Sequence, residues 1–134
     1  MLRYSIPIRI YIEDTDAGGI VYYANYLKFM ERARTEWLRA CGVELDLWQN
    51  QHRKLFVVRS VQIDFYSPAR FNEQLTACAK LVTLKSASLI CEQRIMRGDM
   101  LLTEATVQLV CINADSMSPC AIPSEIREAM TRER

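Results

Sequence analysis

The sequence predicts an α+β fold, a five-stranded antiparallel sheet wrapped around one long helix. Two changes of period carry that reading. Apolar residues recur at every second position near the start of the chain, switch to helical spacing from about Ala24 to Cys41, and return to alternation from Phe56 to Cys111. Short polar breaks between the later alternating runs favour antiparallel hairpins, and a sheet with a single helix buries its apolar face by curling around it.

The first run, Ser5 to Ile12, sets Ile6, Ile8, Ile10 and Ile12 on one side of a strand. It leads into Glu13-Asp14-Thr15-Asp16-Ala17-Gly18-Gly19, where paired glycines after polar residues turn the chain. On the helix, Tyr26, Phe29, Met30, Ala33, Trp37, Ala40 and Cys41 share one arc, widened by Leu27 and Leu38. Lys28, Glu31, Arg32, Thr35, Glu36 and Arg39 lie opposite, with Arg32 and Glu36 at i,i+4. Arg34 intrudes on the apolar arc, where pairing with a carboxylate such as Asp14 is expected. Gly42 suits a left-handed cap, and Val43 to Gln51 has room for one or two further turns.

Strands follow as a meander. Val57, Arg59, Val61, Ile63 and Phe65 alternate, as do Leu75, Ala77, Ala79 and Leu81, then Ala87, Leu89 and Cys91, then Leu101, Ala105, Val107, Leu109 and Cys111. Ser67-Pro68-Ala69 interrupts the first two, because proline cannot donate to a central ladder. Lys85-Ser86 and Arg97-Gly98-Asp99 mark the hairpins, and Ser124 to Met130 suits a short closing helix. One helix leaves the sheet's other face and its edges uncovered, which oligomerisation ordinarily remedies.

At 134 residues the chain suits one domain, residues 1–134. Its formal net charge of +1 gives no reason to expect nucleic acid or an anionic membrane surface as partner. No apolar run approaches the ~20 residues that span a bilayer. Met1 to Arg9 lacks the apolar core of a secretory signal, so the expected location is the cytoplasm. Five scattered cysteines, none in a Cys-x-x-Cys arrangement, read as reduced thiols rather than a disulfide framework. The single histidine, His52, lies in a polar stretch, so neither a metal site nor Ser-His-Asp catalysis is expected.

The chemistry concentrates between Tyr11 and Tyr26. Asp16 stands just before Gly18-Gly19 and a helix start, whose first amides are unpaired and partially positive. Such donors stabilise the developing oxyanion of a carbonyl under attack. Gly18 and Gly19 let the backbone approach a ligand closely. A carboxylate with polarising amides is enough for a thioester, because its leaving thiol, with a free pKa of about 8.5, departs readily as thiolate. An amide or phosphate ester demands more.

Asp-Thr-Asp-Ala-Gly-Gly-Ile-Val-Tyr, from Asp14 to Tyr22, is followed by Asn25-Tyr26-Leu27 and by Glu31-Arg32-Ala33-Arg34-Thr35-Glu36. These segments resemble the 4-hydroxybenzoyl-CoA thioesterase family, and most nearly its bacterial YbgC-type acyl-CoA thioesterases, which are associated with the Tol-Pal system. Val57-Val58-Arg59, Phe65 to Arg70 and Leu102 to Ala105 extend the likeness over nearly the whole chain. The resemblance implies a hotdog fold and an acyl-CoA site at a dimer interface, in a homodimer or homotetramer. It implies Asp16 as the catalytic carboxylate, nucleophile or general base, and the Tyr23 backbone N–H as the carbonyl-polarising donor. Many YbgC-type members carry histidine where this chain has Tyr23. Coenzyme A is part of the substrate, no separate cofactor is implied, and an acyl carrier protein is a second candidate partner. Gly18, Gly19 and Tyr22 are candidates for contact with the substrate, and Arg59 and Ser60, with Arg70, for the CoA phosphates. Asp14 reads as a turn carboxylate. Two other readings compete: a hydratase or dehydratase, disfavoured because no histidine lies near Asp16, and a non-catalytic acyl-CoA or acyl-carrier-protein binding module.

Overall fold

The structure, a computed structural model, describes residues 3–132. Strand β1 (Arg3–Arg9) leads through a 3-10 turn (Ile12–Asp14) to helix α1 (Asn25–Ala40) and a short helix α2 (Leu45–Asn50). Strands β2 (Lys54–Phe65), β3 (Gln74–Leu84), β4 (Ser88–Arg97) and β5 (Met100–Asn113) follow, and helix α3 (Ser124–Thr131) closes the order. All pairings are antiparallel, in the order β1-β3-β4-β5-β2.

Helix α1 follows its period. Tyr26, Phe29, Met30, Ala33, Arg34, Trp37, Leu38 and Cys41 are buried, whereas Leu27 and Ala40 stand at the exposed edges of the stripe. The helix ends where Gly42 takes φ +92°. The Gly42 N–H then reaches the Arg39 carbonyl and the Val43 N–H the Leu38 carbonyl, both at 2.9 Å. This is the Schellman arrangement, sealed by the buried Val43 and Leu38 side chains.

The sheet presents Ile6, Ile8, Leu75, Ala77, Ala79, Leu81, Leu89, Cys91, Ile95, Ala105, Val107 and Leu109 to α1. Ala77 and Ala79 on β3 and Ala33 on α1 are all fully buried, and small side chains there let helix and strand approach closely. Two polar side chains, Gln93 and Thr103, stand inside this face. Buried Gln93 accepts from Arg34 Nη1 at 2.8 Å and donates to the Met30 carbonyl at 2.9 Å. Arg34 also pairs with Glu31. Its carboxylate partner is therefore one helical turn away and not Asp14, whose side chain accepts the Tyr11 N–H at 2.8 Å.

Three expectations change. The β2 strand does not pair with β3 as a meander requires. It crosses to the far side of β5, so only β3-β4-β5 is a meander. The eight residues between Phe65 and Gln74 run past the start of α1 instead of making a tight hairpin, and Val21 pairs with Ala69 on the way. The inward face of β2 is Phe56, Val58, Val61, Ile63 and Phe65, because an irregularity between Val58 and Ser60 leaves Arg59 unpaired and reverses the alternation. The same device at Leu102 turns Leu101 away from the helix side. Finally, Ile12 leaves the strand and is 67% exposed, since the Tyr11 N–H turns onto Asp14 and ends β1.

Candidate active site

The segment joining β1 to α1 folds on itself twice. Thr15 pairs with Val21, the Asp16 N–H donates to the Ile20 carbonyl at 2.9 Å, and the Gly19 N–H returns to the Asp16 carbonyl at 3.0 Å. Gly19 allows this turn by adopting φ +80°. The Asp16 carboxylate accepts the Gly18 N–H at 2.8 Å, and it is exposed. A Cβ on Gly18 would stand 3.2 Å from that carboxylate oxygen, so glycine there leaves room for the acid.

The return leg leads into α1. The Asp14 carbonyl accepts both the Tyr22 N–H and the Asn25 side-chain amide at 2.9 Å, which aims the helix start back at the turn. Among the described residues the N–H groups of Tyr23 and Ala24 have no acceptor. They are the open donors of a helix N-terminus, with the partial positive charge that such an end carries.

Tyr23 also lines an open cavity of about 280 Å³, together with Ile20, Val21, Tyr26, Phe65, Tyr66, Ser67 and Pro68. Its wall is aromatic: the Tyr23 ring meets Phe65 edge-on at 6.1 Å, and Tyr26 lies 5.7 Å from Phe65. Tyr26 is buried, with its hydroxyl accepting the Ala69 N–H at 3.1 Å. Burial first, and the nearby Glu73 carboxylate second, push this phenol above its usual range, while the Ala69 hydrogen bond and Arg97 oppose them.

The segment thus holds Asp16, Gly18, Gly19, Tyr22 and Tyr23 together. Tyr22 is half exposed with its ring against Tyr23, outside the cavity lining. Arg59 and Ser60 lie elsewhere on the same chain. Both are exposed on the outer edge of the sheet, and Ser60 precedes Phe65 by about 17 Å of extended strand. Sequence reasoning assigned Tyr26 to the core and passed over Phe65 and Tyr66 as wall residues. The signal for them was an aromatic pair closing a strand just before Pro68.

Residues 10–130 match the model of the thioesterase-like superfamily. The acyl-CoA thioesterase YbgC of Haemophilus influenzae is 40% identical over 126 residues, covering 94% of this chain and 93% of that protein. The acyl-CoA thioester hydrolase YbgC of Escherichia coli O157:H7 is 41% identical over 121 residues, covering 90% of each. A probable thioesterase from Bartonella henselae superposes with a TM-score of 0.87 at 34% identity, covering 91% of this chain and 100% of that one. Fold and relatives together define a thioester hydrolase built on the hotdog fold. Within that class the chain belongs to the YbgC family of the thioesterase-like superfamily. Among the described residues no helix is long and apolar enough to cross a membrane.

Proposed function

We propose that this protein hydrolyses acyl-CoA to a free carboxylic acid and CoA, with Asp16 as the acting carboxylate and the Tyr23 N–H as the carbonyl-polarising donor. One observation carries the reading: an exposed carboxylate, steadied by the Gly18 N–H, shares one short segment with Tyr23, whose N–H has no acceptor and which lines an apolar cavity. The names of the relatives support acyl-CoA as the substrate.

The thioester carbonyl oxygen takes the Tyr23 N–H, and the aromatic cavity takes the acyl chain. As general base, Asp16 removes a proton from water while the water oxygen bonds to the carbonyl carbon. As nucleophile, its own oxygen forms that bond, and water hydrolyses the resulting anhydride once the thiolate has left. In both routes the oxyanion gathers charge where the helix start is positive. The C–S bond then breaks to release a thiolate that needs little acid assistance.

Two subunits complete the site in this reading. Among the described residues the outer edge of β2 has no neighbour, and Leu27, Val58, Val61 and Phe65 stand exposed along the groove between it and α1. Two such edges joined about a two-fold axis would extend the sheet and cover the groove, which supports a homodimer as the basic unit. Arg59 and Ser60 then belong with the nucleotide end of a long substrate. An acyl carrier protein presents the same thioester and is a second acyl donor to assay. Five free thiols fit a reducing compartment such as the cytosol.

The test is CoA release from acetyl-, hexanoyl-, palmitoyl- and benzoyl-CoA by wild type and Asp16→Ala, with sedimentation giving the subunit number. Turnover by the wild type that collapses in a folded Asp16→Ala dimer is expected. Undiminished turnover in that variant would remove Asp16 from the mechanism. Hydroxylamine trapping of an acyl-Asp16 anhydride distinguishes nucleophile from base.

A further inference from the structure

We propose that Glu73 and Arg97 are positioning residues for this reaction, acting through residues 68–70 and Tyr26 to hold the Tyr23 N–H on its line to the carbonyl. The inference rests on the functional reading above and adds residues that lie outside the motif. Ala69 is wholly buried, and its main chain grips both ends of the segment that contains Tyr23. Its carbonyl accepts the Val21 N–H at 2.9 Å, and its N–H donates to the Tyr26 hydroxyl at 3.1 Å. Tyr22, Tyr23 and Ala24 are strung between those two anchors.

The residues on either side of Ala69 are fixed in turn by one ion pair. Arg97 Nη1 donates to the Pro68 carbonyl at 3.1 Å and to Glu73 Oε1 at 3.0 Å. The same Glu73 oxygen accepts the Arg70 N–H at 2.7 Å. The pair is half-buried and directs its hydrogen bonds at the backbone of one loop, unlike the Arg94–Glu104 pair on the outer face, which joins two side chains. Arg9 ties down the far end of the loop by donating to the Asn72 carbonyl at 2.7 Å. Neither Glu73 nor Arg97 lines the cavity, so their effect on the reaction passes through residues 68–70 and Tyr26.

A donor that is mis-aimed rather than removed costs less than the hundredfold or more of a deleted oxyanion contact, roughly tenfold. Tyr26→Phe and Arg97→Met are each expected to lower kcat about tenfold with KM within about twofold. Because both loosen the same clasp, the double variant falls little further, whereas independent effects would multiply to about a hundredfold. Arg94→Met leaves kcat unchanged. Should Arg97→Met not fold, Glu73→Gln keeps the acceptor oxygen and removes the charge, with a smaller kcat loss expected.

A spectroscopic arm isolates the donor itself. Carbonyl-¹³C hexanoyl-CoA bound to Asp16→Asn has its C=O stretch lowered by the Tyr23 N–H, and adding Tyr26→Phe shifts that band back towards the free thioester. An identical band in both proteins, or multiplicative losses in the double variant, overturns the proposal. Failure of the underlying reading shows separately, as an Asp16→Asn protein that still turns over.

Discussion

Gly18 and Gly19 are neighbours that should fail in opposite ways when each is changed to alanine. At Gly18 the backbone is acceptable to any L-residue, but the new methyl stands 3.2 Å from Asp16 Oδ1, so the carboxylate must yield by a few tenths of an ångström. A displacement of ~1 Å in a reacting group costs about a hundredfold, so this smaller one should lower kcat roughly three- to tenfold. Stability should hold or rise by ~0.5 kcal/mol, since alanine restricts the unfolded chain. At Gly19 there is open space but φ is +80°, which costs an alanine ~1 kcal/mol and a few degrees of Tm. Steady-state CoA release and thermal melts on the two variants read both quantities. Gly18→Ala with wild-type kcat, or Gly19→Ala with intact Tm and lost kcat, would refute the argument that the first glycine makes room for the acid and the second makes the turn.

Arg34→Met should cost ~2 kcal/mol in urea melts, because it strands the buried Gln93 Oε1 that Arg34 now satisfies. Arg34→Met with Gln93→Leu should recover at least half of that loss, and a double variant less stable than the single would sink the explanation. Burial pushes the Cys91 thiol from 9.0 to about 11, against the opposing charge of Arg34. The folded protein therefore holds this proton more tightly than the unfolded chain. The associated stability, ~3 kcal/mol at most, is complete below about pH 9 and is lost as pH rises towards 11. Cys91→Ala should flatten that decline in melts at pH 8 and pH 10.5. An unchanged slope would show the thiol to be accessible in the fold. Cys111, pushed to about 12 by burial and then by Cys120, supplies a remainder of the same sign.

The parts of this protein that repeat locally are legible in the amino-acid sequence. The helix from Asn25 to Ala40 announces itself through Tyr26, Phe29, Met30, Ala33 and Trp37, and Gly42 marks its end. The Asp16-Gly18-Gly19 turn was equally plain, because an acid and two glycines have few other uses in that order. What could not be read depends on partners distant in sequence. Nothing within Lys54–Phe65 says that it pairs with β5 rather than β3, since hairpin logic counts only neighbours. Ala69 was invisible for a different reason: it works through its main chain, and no side-chain pattern records where a carbonyl points. Arg34 was recognised as out of place, yet its partners Gln93 and Glu31 are a strand away and one turn back.

The unpaired residue in β2 has a consequence for how the gene can change length. Val58 faces Leu109 and Ser60 faces Gln108, so removing Arg59 would leave every remaining partner in register and restore uninterrupted alternation. Removing Val61 instead would exchange wet and dry sides for one whole arm of the strand. Position 59 is therefore a slack link, a place along this strand where a codon can be dropped without turning the fabric inside out.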